Sequence, residues 1–155
     1  ARAGVPAEMV SMPLAGAAAP VTLIGSVVQH AAESLSGITV HQLANPGAPI
    51  VWGGAPAIMD MRQGTTPMGA IETAMIDVAY TQVGKYLEIP THAYMGASDA
   101  KMIDAQAGLE SGIPDVIERT SAERCEAGSE DHAGIEQVRV GHDARAPPPS
   151  ARRHP

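Results

Sequence analysis

Three short apolar segments of this chain, each leading into a turn of small residues and then a helical pattern, recur at a nearly constant interval. "VPAEMVSMP" (5–13), "PIVWGG" (49–54) and "THAYMG" (91–96) begin about 42 to 44 residues apart. Each reads as a strand. Between them, Pro20 opens a helical stretch reaching about Leu43, and "NPGAP" ends it, because Gly and Pro follow the last turn. Thr66 is placed to cap a second helix, with Pro67 in the first helical position and its end near Leu87. "ASDAKMIDAQAGLES" is the turn into a third. Strand and helix alternating at this spacing predict parallel strands joined by right-handed crossovers. An α/β barrel and an open doubly wound sheet both satisfy that pattern. The loops after the strands are long and those after the helices tight, which favours a barrel with its site at the strand carboxyl ends. The expected fold is thus α/β, about three βα units of a partial (β/α)8 barrel.

The pattern stops near Gly112. Nine acidic and four basic residues precede that point; eight acidic and six basic follow it within 43 residues. All Met, Tyr and Trp precede it, and the six later cations are all Arg. Such a segment buries too little apolar area to offset the entropy of ordering it. Residues 1–112 are therefore expected to form the partial barrel, and 113–155 a divergent, disordered tail with a short helix near Val116 to Cys125. The ending "ARAPPPSARRHP" is also what a GC-rich gene yields when read out of frame.

Composition narrows the function. With no Phe, one Trp and three Tyr, the core is expected to consist of Ala, Val, Ile, Leu and Met. A formal charge of −7 argues against nucleic acid as a partner. No apolar run reaches the length of a membrane span, and no basic start leads into a signal segment. One cysteine excludes an internal disulfide and fits the cytoplasm. The chain begins with Ala1, leaving a longer parent or processing open.

Familiar sites are absent from the sequence: no GxGxxG after a strand, no GxxxxGKS/T, no HExxH, no paired CxxC. Cys125, His132 and His142 have spacings that common metal motifs do not use, so no metal is expected. His30 and His41 share one face of the first helix and read as interface histidines bonded to carbonyls or water. The strand ends carry more information. Trp52 and Tyr94 each stand just before a Gly, where two aromatics can wall a pocket for a methylammonium group or pack beneath loops. Asp60 and Arg62 lie in the second loop, Asp99 and Lys101 in the third. A carboxylate there can hold an amine, and Asp99 or Asp104 can equally cap the third helix.

Three blocks in order, "MPLAGAAAPVTLIGSVVQHAAESLSGI", "NPGAPIVWGGAPAIMDMRQG" and "SDAKMIDAQAGLESG", resemble the trimethylamine methyltransferase family of corrinoid-dependent enzymes. The resemblance covers about residues 5–112. It implies a larger chain with a barrel of the triosephosphate isomerase type. Such a protein demethylates trimethylamine, glycine betaine or a related N-methyl amine and passes the methyl group to Co(I) on a partner corrinoid protein. No cofactor is then bound directly, because the partner carries the corrinoid. Trimethylamine-specific members use pyrrolysine, which this sequence lacks. The resemblance marks Asp60, Asp99, Lys101, Asp104 and Gln106 as loop positions of the family motif with individual roles unassigned, some of them expected to face substrate or corrinoid, beside the aromatic pair Trp52 and Tyr94. The residues present are expected to be inactive alone. The reading from a different class is a small α/β interaction module whose Arg/Pro-rich tail recruits partners. An unrelated open-sheet enzyme using the same loops is a third and weaker fit.

Overall fold

The computed structural model describes residues 1–126, with side chains described to residue 117. Its elements are β1 (Ala7–Ser11), β2 (Leu14–Ala15), α1 (Leu23–Ala44), β3 (Ile50–Gly54), β4 (Ala57–Ile58), α2 (Ile71–Tyr86) and α3 (Ala105–Glu126). β1 runs parallel to β3, and β2 parallel to β4. These short strands belong to two longer extended stretches. The ladder carries on between them through Ala55 N to Ser11 O, Ala57 N to Pro13 O and Met59 N to Ala15 O. Pro13 and Pro56 interrupt it, since neither has an N–H to donate.

The third expected strand, 91–96, is a single parallel bridge between Thr91 and Trp52. Its backbone bonds are Trp52 N to Pro90 O (2.7 Å) and His92 N to Trp52 O (2.9 Å). Beyond Ala93 the chain turns at Gly96, whose φ of 76° suits glycine. This replaces the extended segment read from the sequence. The observed class is mixed α/β, with short parallel strands and three helices.

α1 begins after Thr22, whose hydroxyl accepts from Gly25 N at 3.3 Å. It ends at Asn45, where Gln42 braces the turn by accepting from Gly47 N and donating to Ala48 O, each 2.8 Å. α2 starts at Ile71, later than Thr66, because Pro67 to Ala70 form a turn first and Ala70 has no side-chain cap of its own. α3 opens beside Asp104, whose carboxylate accepts from Ala107 N at 3.1 Å. It runs on through Gly112 and Pro114 to Glu126. The short helix expected near Val116 to Cys125 is thus present as the end of α3, continuous with the third helix; the expectations for residues 127–155, including His132 and His142, lie outside the described residues.

The core lies between the helices and one face of the strands. It centres on Trp52, Tyr80, Ile76, Val27 and Ala15, with Leu23, Ile38, Ile58 and Val83 packed around them. Two aromatics thus lead a core expected to be purely aliphatic. Burying a ring of this size contributes on the order of 5 kcal/mol before entropy is subtracted. Space for Trp52 comes from Gly84 on α2: a Cβ there would lie 2.7 Å from the indole Cδ1. Among the described residues, no helix is long and apolar enough to cross a membrane.

Candidate functional site at the carboxyl ends of the strands

Parallel strands present their carboxyl ends on one side, so the loops after β2, after β4 and after Thr91 share that side. In the second loop, Asp60 closes a tight turn. Its carboxylate accepts from Arg62 N (2.8 Å) and Gln63 N (3.3 Å), and its backbone N–H donates to Thr65 O at 2.9 Å. Gly64 completes that turn at φ 67°.

The third loop is bound to both neighbouring helices. The Asp99 carboxylate accepts from Met68 N (3.3 Å) and Gly69 N (3.0 Å), just ahead of α2. It thus holds orphan amides near the start of α2, across about 30 residues of chain, and does not cap α3. Glu110 of α3 gathers the rest. It accepts from the Ser98 hydroxyl (2.6 Å), Asp99 N (2.9 Å) and Gln106 Nε2 (2.8 Å). The Ser98 hydroxyl first, then the Gln106 amide, hold the Glu110 carboxyl below the usual carboxylate range. Gly69 lies under Glu110, and a Cβ there would approach its carboxyl carbon to 2.7 Å.

The residues singled out from the sequence therefore separate. Asp60, Asp99, Asp104 and Gln106 have side chains committed to loop and helix-end hydrogen bonds. Lys101 is exposed, with no ion-pair partner among the described residues. Trp52 and Tyr94 do not form two walls of one pocket. Trp52 is fully buried on the helix side, its indole N–H donating to Tyr80 O at 3.0 Å. Tyr94 is 46% exposed, and its ring meets His92 edge-on at 5.0 Å. The physical reason is strand alternation: Trp52 and Gly54 face the helices, while Val51 and Gly53 face away.

On the helix side, side chains hold the carbonyls at the end of β3. His30 Nε2 lies 3.0 Å from Gly53 O, and Tyr80 Oη donates to Gly54 O at 2.9 Å. The two rings stack at 4.4 Å. Burial holds the His30 imidazole below its ordinary value, partly opposed by the bond to Gly53 and by Glu33. His41 is buried as well. Glu33 accepts from the Ser11 hydroxyl and from Gln29, which draw its carboxyl down. Asp77 on α2 is 2% exposed, its Oδ1 without a hydrogen-bond partner, and burial pushes its carboxyl up to about 8. Among the described residues no three His, Cys, Asp or Glu side chains gather as a metal site.

Sequence reasoning missed Glu8 and His92. Glu8 on β1 and His92 past the Thr91 bridge meet at 2.7 Å on the sheet face opposite α1. The available signal was a carboxylate in the middle of an otherwise apolar strand.

Strand–helix units with polar loops at the strand carboxyl ends are the architecture of many α/β enzymes, and comparison with known proteins identifies which. Residues 1–114 match the trimethylamine methyltransferase (MTTB) family, to which the chain belongs. It is 40% identical over 110 residues to trimethylamine methyltransferase MttB of Desulfitobacterium hafniense (strain DSM 10664 / DCB-2), covering 71% of this chain and 22% of that protein. The Methanosarcina barkeri trimethylamine methyltransferase MttB is 39% identical over 117 residues, 76% of this chain and 24% of the relative. Glycine betaine methyltransferase of Desulfitobacterium hafniense (strain Y51) is 37% identical over 111 residues, 72% and 23%. The chain thus spans less than a quarter of the length of these relatives.

Proposed function

We propose that these residues are three βα units of a (β/α)8 barrel methyltransferase. In this reading the enzyme takes a methyl group from trimethylamine, glycine betaine or a related N-methyl amine and delivers it to Co(I) of a separate corrinoid protein. The observation that carries it is the family match across residues 1–114. Two features support the barrel. Beyond β3, β1 has no other strand partner among the described residues, and α1 exposes the apolar stripe Ile24, Val28, Leu35 and Leu43, with Val21 exposed just ahead of it. Both are surfaces that a neighbouring βα unit covers in a closed barrel.

Here Tyr94 and Lys101 offer free functional groups toward the barrel mouth, while Asp60, Asp99, Asp104 and Gln106 set the loops that carry them. Trp52 acts from the core by fixing the end of β3. A Co(I) acceptor requires a reducing compartment, so this reading puts the reaction in the cytoplasm. Taken alone, the residues present lack most of the barrel and are proposed to be inactive. The interaction-module alternative depends on the Arg/Pro segment, most of which lies outside the described residues.

The test is a chimera in which residues 1–112 replace the matching segment of the Desulfitobacterium hafniense trimethylamine methyltransferase. Methyl transfer from amine to a Co(I) corrinoid protein is followed by cobalt absorbance. Turnover near that of the parent is expected; a folded chimera without turnover overturns the proposal.

A further inference from the structure

The face of the sheet turned away from the helices carries a cluster with a built geometry. Met9 packs against Gly37 of α1, and Ser11 bonds Glu33 of α1, so the alternating residues Glu8 and Val10 point to the opposite side. Glu8 and His92 are separated by β3, yet Glu8 Oε1 reaches His92 Nδ1. The residue beneath that span is Gly53, and a Cβ there would sit 1.9 Å from Glu8 Oε1. Only a residue without a side chain leaves room for the carboxylate to cross.

Both side chains keep about 30% of their surface in solvent. A partly exposed contact of this kind adds little to stability, so holding the fold is a weak account of it. Its second carboxylate oxygen makes no hydrogen bond among the described residues. The half-exposed Tyr94 ring meets the His92 ring edge-on at 5.0 Å. An open carboxylate oxygen and a half-exposed aromatic ring, joined through the one His92 imidazole that touches both residues, suit one chemical class. A methylated ammonium ion has few or no N–H donors, a diffuse positive charge and an apolar surface, and it is held by charge and by π faces.

We propose that Glu8, His92 and Tyr94 form a binding site for a small methylated ammonium ion on the open face of the sheet. Glu8 supplies the counter-charge, Tyr94 the π face, and His92 fixes the carboxylate that bridges Gly53. The assignment deepens the methyltransferase reading and rests on it for the identity of the amine. It also sets a preference: trimethylammonium binds better than glycine betaine, whose own carboxylate is repelled by Glu8.

The test uses the full chain, isotopically labelled at His and Tyr, titrated with trimethylammonium chloride and with sodium chloride at equal ionic strength. Saturable NMR shifts of His92 and Tyr94 with the ammonium salt alone are expected. Glu8→Gln weakens that binding about tenfold, and glycine betaine binds more weakly than trimethylammonium. Emission from the buried Trp52 reports that each variant is folded. Equal affinity in the Glu8→Gln variant, or no saturable shift in the folded chain, overturns the proposal. A second arm places Glu8→Gln in the chimera. There the KM for trimethylamine rises about tenfold while the KM for the corrinoid protein is unchanged. An active chimera indifferent to the substitution defeats this site and leaves the methyltransferase reading standing. An inactive parent chimera defeats that reading first, and the NMR titration then decides the site alone.

Discussion

The buried carboxyl of Asp77 allows a prediction whose sign follows from proton linkage. Burial lifts its pKa from an ordinary 3.8 to about 8. Between those values the folded chain holds a proton that the unfolded chain has lost. Its contribution to stability is full below 3.8 and declines as pH rises toward 8, at ~1.4 kcal/mol per pH unit. His30 works in the opposite direction. Its folded pKa lies below 6.5, so its contribution is present above 6.5 and is lost as pH falls through the folded value. Glu33 and Glu110, drawn below 4.5, likewise lose their contributions only in acid. Tyr80, pushed above its ordinary 10, acts only in strong alkali. From pH 6.5 to 8, Asp77 therefore dominates the change in proton binding on folding among the described groups with displaced pKa, and His30 adds only a small opposing slope near 6.5. Because the slope flattens as pH nears 8, the chain should lose about 1.5 kcal/mol of stability across that interval. Asp77→Asn cannot ionise, so its stability should stay nearly flat there, with only the small His30 slope near pH 6.5, whatever its absolute value. Urea melts at half-unit steps of pH, read by the fluorescence of the single tryptophan, measure both. If the parent and Asp77→Asn chains show the same slope between pH 6.5 and 8, the linkage argument fails.

Two further substitutions test how the loops and core are joined. Asp99→Ala removes the acceptor for two amides near the start of α2 and should cost about 1–2 kcal/mol in urea melts, with Asp99→Asn recovering part of it. Gly84→Ala would bring a Cβ within 2.4 Å of Thr91 and 2.7 Å of the Trp52 ring; a loss of about 1–3 kcal/mol and a shifted tryptophan emission are expected.

What the sequence made legible is what short-range pattern encodes. β1 and β3 fall inside the two apolar segments that marked them, and α1 lies within about three residues of its expected ends. The misreadings share a different origin. Trp52 stood at a strand end before two glycines, which looked like a pocket wall. Its facing was set by period-2 alternation and by the match to Gly84, about thirty residues away. Asp99 carried the local signature of a helix cap, but the helix it serves precedes it in the chain. The third strand failed because its one parallel neighbour, β3, supports only the bonds around Trp52. Glu8 and His92 pair across 84 residues, and no window of sequence contains both.

The two faces of the sheet also divide the labour between stability and binding. Buried rings and carbonyl clamps occupy the helix side: His30 at Gly53, Tyr80 at Gly54, Trp52 beneath both. The Glu8–His92 pair and Tyr94 occupy the other. Tyr80 joins them, since its hydroxyl also lies 3.2 Å from His92 O and so sets the height of His92. Changes made on one face should then read out separately from changes on the other. Asp77→Asn alters the pH slope of unfolding without touching the open face, and Glu8→Gln alters ammonium affinity with little effect on the melt. Tyr80→Phe is the exception, because it leaves the Gly54 carbonyl and the His92 backbone without that hydroxyl. It alone should both destabilise the chain, by about 1 kcal/mol, and weaken binding on the far face.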